Sequence, residues 1–168
     1  MLLPAAEFKS EINALIASIP FHSWMWPVLT QRTTLELGLE EDSFISYNAK
    51  TKKPLCLITF WWDPTRDYVT GMAILAFQEN TPDGETVVGT RDVLDAMGIQ
   101  FSRGARYITW PSVEASAGDK IYRKMMARGL VFHLGQFPMQ CRGYAGEYLT
   151  INTFAIFRNK WNEFRVKK

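Results

Sequence analysis

The run YLTINTFAIF at 148–157 is the longest β-pattern in the chain, and it closes a series of short β-favouring runs separated by helical patterns. That order restricts the fold more than any other feature. Phe8, Ile12, Leu15, Ile16 and Ile19 line one face of an amphipathic helix that Pro4 opens and Pro20 stops. Ser43–Tyr47 and Leu55–Trp61 flank the polar turn segment NAKTKKP and form a hairpin. Beyond the breaker DPTRD, a third strand is expected over Tyr68–Phe77, weakened by Gly71.

Thr90 can cap a short helix through Met97, with Gly98 just past its end. RYITW at 106–110 reads as a strand closed by Pro111, and 119–128 as a helix with Ile121, Tyr122 and Met125 on one face. LVFHL is a strand, FPMQCRGYAGEY a long loop, and the basic tail from Arg158 a solvated end. The order predicts an α/β (α+β) chain whose mixed sheet is flanked by helices. At 168 residues it is read as one domain, 1–168.

Apolar residues at 47% and charged residues at 21% are the balance of a folded globular protein. The net charge of +2 is too small to indicate nucleic-acid binding. Cys56 and Cys141 lack CxxC or Cys/His ligand spacing, so no metal site is expected. Glu7, Lys9 and Glu11 interrupt the apolar start where a signal peptide would be continuous, and no run is long enough to span a bilayer. The expectation is a cytoplasmic protein.

Two separated segments carry a family likeness. The first is ASIP, then FHSWMWPV, then the hairpin strand PLCLITFWW; the second is RYITW, a small-residue loop, and GDKIYRKMMARG. In this order they resemble the RTX-toxin-activating lysine acyltransferases over roughly residues 10 to 130. The resemblance implies a fold related to the GNAT acetyltransferases. It also implies transfer of an acyl group from an acyl-carrier-protein or acyl-coenzyme A thioester to a lysine ε-amine of a protein substrate, with no tightly bound cofactor. His22 takes the position of the family's catalytic histidine. The family's catalytic aspartate precedes the strand-end tryptophan, and that position is Thr109 here.

The chemistry explains why the substitution matters. A lysine amine with a reference pKa near ~10.4 is protonated at neutral pH, so acyl transfer needs a base. Histidine suits the task, and a carboxylate ordinarily holds its tautomer and stabilises the imidazolium. Threonine supplies no charge; Glu114, Asp63 and Asp67 are the alternatives for that role. For His22 itself, a polar ring near a helix end, walled by Trp24 and Trp26, is the competing reading. His133 reads as a satisfied sheet histidine.

The segment Ser116, Gly118, Asp119, followed by Lys120 and Lys124, joins a strand to a helix, where main-chain N–H groups can face the donor's phosphate arm. A loop capped by Asp119 and a solvated basic face are the plainer alternatives. Lys120, Lys124 and Arg128 share a helix face that could dock an acidic carrier protein. The second functional reading is a catalytically weakened relative, a binding module or phage- or host-directed effector that engages a host enzyme or carrier protein. A third is an acetyl-coenzyme A-dependent acetyltransferase. The acceptor protein and the oligomeric state, a dimer among the options, are left open.

Overall fold

A computed structural model describes residues 1–18, 42–48, 50–76, 90–142 and 147–166. In chain order the elements are β1 (Leu2–Pro4), a 3-10 turn (Ala5–Phe8), α1 (Lys9–Ser18), β2 (Ser43–Tyr47), β3 (Pro54–Trp62) and β4 (Val69–Ala76). Then follow α2 (Thr90–Ser102), β5 (Tyr107–Val113), α3 (Ala117–Ala127), β6 (Phe132–Arg142), β7 (Tyr148–Phe157) and α4 (Arg158–Val166). The strands form one 7-stranded sheet in the order β1-β2-β3-β4-β5-β7-β6. Neighbours are antiparallel except β4 and β5, which run parallel.

Alternation along the strands sends the two sets of side chains to opposite faces. On one face Phe44, Ile58, Met72, Ile108 and Trp110 pack against Val93, Met97 and Phe101 of α2 and Trp161 of α4, with Tyr122 and Met125 of α3 at the margin. On the other, Ile45 and Leu57 pack against Ile12 of α1. Each fully buried side chain of this size contributes about 1.5–3 kcal/mol relative to exposure. Trp61 and Trp62 take opposite faces as strand geometry requires: Trp61 is exposed, while Trp62 packs on the core and donates from Nε1 to Gln100 Oε1 at 3.0 Å.

Several expected boundaries move. Helix α2 runs through Gly98 to Ser102; Trp161 lies 3.2 Å from where a Cβ at Gly98 would be, so glycine there admits a core ring rather than ending the helix. Strand β5 continues past Pro111, which is opposite Thr153. Beyond Ile108 its β4 side has no registered partner among the described residues, and a proline is tolerated at such an edge.

The segment expected as a long loop after Phe137 instead extends β6 to Arg142, with register breaks that accommodate Pro138 on an edge strand. The basic tail is helix α4: Trp161 is buried, and Arg158 Nε donates to the Ala105 carbonyl at 2.7 Å. No described helix is long and apolar enough to cross a membrane.

Candidate active site

Strands β4 and β5 meet at Val69↔Ile108 and have no further registered pair among the described residues. The cause lies in β4. Trp61 pairs with Gly71 and Trp62 with Val69, so Thr70 is an extra residue, a bulge that bends β4 away from its neighbour. The Thr70 hydroxyl donates to the Trp61 carbonyl at 2.9 Å, tying the bulge to β3. On the other side the Thr109 hydroxyl lies 2.9 Å from the Thr70 carbonyl and 3.2 Å from that of Val69. Thr109 therefore pins the strands together at the point from which they part.

Above the pin the cleft lies between the C-terminal halves of two parallel strands, the position at which open α/β sheets take ligands. Helix α3 follows β5 and lays its Tyr122 ring over β5 and β7. Tyr122 packs edge-on against Trp110 at 5.1 Å and against Phe154 at 5.4 Å. Gly118 permits this, since a Cβ there would come within 3.3 Å of the Tyr122 ring and 3.5 Å of the Ser112 hydroxyl. Burial pushes the Tyr122 phenol well above the usual tyrosine range, and the Cys56 thiol on β3 adds to the effect. Cys56, fully buried and opposite Ala76 of β4, is itself pushed up to about 12 by burial and by Asp92, against a hydrogen bond with Ser46.

The first turn of α3 is closed by its own side chains. Ser116 is the N-cap and accepts from the Asp119 amide at 3.1 Å. The buried Asp119 carboxylate accepts from the Ala115 amide at 3.3 Å, Arg123 Nε at 2.8 Å and Asn152 Nδ2 at 2.9 Å. Asn152, also buried, turns its Oδ1 to His133 Nε2 at 3.0 Å. Lys120, Lys124 and Arg128 are exposed along α3.

Of the residues singled out by sequence, Ser116, Gly118 and Asp119 gather at the β5–α3 junction with Lys120 and Lys124 exposed beyond it, whereas Thr109 lies near the start of β5, at the β4 bulge. His22 lies outside the described residues. Two carboxylates considered as its partners are engaged elsewhere: Asp63 holds the β3–β4 turn through Thr65, Asp67 and Tyr68, and Glu114 accepts from Gln136 Nε2 at 2.7 Å. Sequence reasoning placed Tyr122 on one helix face with Ile121 and Met125 without giving it a role; its approach to Trp110 and Phe154 depends on a crossing that periodicity does not encode.

No family model matches the sequence, and no curated protein matches it. Solved structures do match the fold. A provisionally assigned phosphinothricin N-acetyltransferase superposes with a TM-score of 0.65 at 16% identity, covering 94% of this chain and 98% of that one. A chimera of the spermidine N-acetyltransferase SpeG from Vibrio cholerae with hSSAT gives 0.65 at 13% identity over 96% and 98%. The ribosomal-protein-alanine N-acetyltransferase from Brucella melitensis gives 0.63 at 9% identity over 94% and 99%. At these identities the likeness defines architecture: the chain has the GNAT fold of the N-acetyltransferases.

Proposed function

We propose that the protein is an N-acyltransferase that moves an acyl group from a pantetheine thioester, on coenzyme A or a carrier protein, to an amine. Protein lysine is the acceptor class that the family resemblance implies. The observation that carries the reading is the parting of β4 and β5 beyond Val69↔Ile108. A linear, amide-bearing arm can enter between parted strands and bond to their free main-chain edges as an added strand would.

In the reaction the acceptor nitrogen attacks the thioester carbonyl carbon, the C–S bond breaks, one amine proton leaves to a base, and the departing sulfur takes a proton. Tyr122 is the proposed proton donor. Burial raises the Tyr122 phenol, and a thiolate leaving in a desolvated site is likewise more basic than one in water, which favours taking up that proton. His22 is the proposed base. Thr109 serves as the pin of the cleft, and the first turn of α3, from Ser116 through Asp119 with Lys120 and Lys124 beyond, is the proposed flank for the donor's polar end.

One observation favours the binding-module alternative: the Thr109 hydroxyl is occupied by main-chain carbonyls, and no charge stands at that position. Intact-mass analysis separates the two readings. The protein is incubated with acyl-coenzyme A or acyl-carrier protein and with lysine peptides, polyamines or protein acceptors. Catalytic appearance of an acyl mass on the acceptor is the expected result; stoichiometric binding of a donor or partner without transfer would favour the module.

A further inference from the structure

Beneath α3 a chain of hydrogen bonds runs from the exposed His133 through Asn152 to Asp119 and Arg123. Its polarity is fixed by chemistry. The Asp119 carboxylate, ion-paired to Arg123, can only accept, so the Asn152 amide must donate to it through Nδ2. Asn152 Oδ1 then faces His133 Nε2 and requires that nitrogen to carry a proton. The chain joins residues 33 positions apart at the first turn of α3, one turn before Tyr122. Both central members are buried, Asn152 at 0% exposure and Asp119 at 2%.

We propose that the Asp119–Asn152 pair is a positioning element for Tyr122. It fixes the rotation of α3 about its axis, and with it where the Tyr122 ring sits against Trp110 and Phe154. Three constraints act on this turn: the Ser116 cap sets where the helix begins, Gly118 lets the Tyr122 ring lie close to it, and Asn152 anchors it to β7. Of the three, the β7 anchor alone is a charged, directional bond to a different part of the sheet. The proposal rests on Tyr122 being the proton donor, but its physical content, the coupling of Asn152 to the Tyr122 environment, can be read without turnover.

A charge swap tests it. In Asn152→Asp two carboxylates face each other, and in Asp119→Asn the Arg123 partner loses its charge. In the double variant Asp119→Asn/Asn152→Asp every bond has a partner again: Asn at 119 donates to Asp at 152 and accepts from Ala115 and Arg123, while Asp at 152 accepts from His133. We expect the Asn152→Asp single variant to lose on the order of 100-fold in kcat with a smaller change in KM, as a misplacement of about 1 Å would produce, and the double variant to regain most of it.

In parallel, protein labelled with 3-fluorotyrosine gives a fluorine resonance for Tyr122, assigned by its loss in Tyr122→Phe. That resonance should shift or broaden in Asn152→Asp and return in the double variant. A resonance unmoved by Asn152→Asp overturns the proposal, as does a double variant that regains folding stability while the resonance and kcat stay displaced. If Tyr122→Phe keeps full activity while the resonance still follows the pair, the positioning stands and the role assigned to Tyr122 falls.

Discussion

The hydroxyl of Thr109 on β5 donates to the main-chain carbonyl of Thr70 at 2.9 Å, so that a side chain of one parallel strand holds the bulge of the other. Replacing it by valine keeps the β-branched shape and removes the donor. Loss of a hydrogen bond of this kind costs about 1 kcal/mol, which for a domain of this size lowers Tm by roughly 2–4 °C. Thr109→Ser should lose less, and differential scanning calorimetry distinguishes the pair.

The same geometry predicts the outcome of restoring the family's carboxylate. In Thr109→Asp an acceptor-only group would face the carbonyl oxygens of Val69 and Thr70. The variant is expected to be destabilised by about 1–3 kcal/mol and to show no gain in acyl transfer. A rise in activity would mean that the carboxylate turns from the bulge toward a base, and would revive the dyad in its family form.

The contrast between these two substitutions shows how far the site could be read from sequence. The pattern put Thr109 on a strand, as observed, but the bulge that decides what its hydroxyl touches leaves no periodic mark. Asp119 and Asn152 lay in separate patterns, and their bond is a product of tertiary packing. For the fold, strong alternation in Tyr148–Phe157 and the hairpin around NAKTKKP made those strands legible. Leu2–Pro4 was too short to carry a pattern, and Pro111 and Pro138 hid the extensions of β5 and β6, because proline argues against a strand unless the strand has a free edge.

Tyr122→Phe retains the ring that packs on Trp110 and Phe154 and removes the phenolic proton. If that proton goes to the leaving sulfur, kcat falls by about 10²–10⁴-fold, while Tm changes little and binding of a non-hydrolysable donor analogue is preserved. Single-turnover assays with activated thioesters sharpen the test. A better leaving thiolate needs the proton less, so the deficit of the variant should shrink with it.

Gly98 offers a packing test independent of function. An alanine in a helix interior ordinarily gains about 1 kcal/mol over glycine. Here its methyl would stand 3.2 Å from Trp161, a buried ring already held against Phe101 at 5.7 Å. The ring, packed against both Phe101 and Phe164, must give by a few tenths of an ångström; an overpacking cost of about 1–3 kcal/mol outweighs the propensity gain, and Gly98→Ala is expected to be destabilised in urea. Adding Trp161→Phe should make the same alanine neutral or favourable.

The β3–β4 turn should be the acid-sensitive part of the fold. Burial alone would raise the Asp63 carboxyl, but hydrogen bonds from the Thr65 hydroxyl and the amides of Tyr68, Thr65 and Asp67 outweigh it and hold the group below its usual range. A carboxyl whose folded pKa lies below its unfolded value, about 3.9, stabilises the fold fully above that unfolded value. The contribution is lost as pH falls through the folded one. Stability measured by urea titration from about pH 5 to about pH 2 should therefore decline more steeply in the parent protein than in Asp63→Asn, which is weaker at neutral pH but has no proton to take up at that position. Equal slopes would place the acid sensitivity in other carboxylates and leave the turn as a pH-insensitive support for the start of β4.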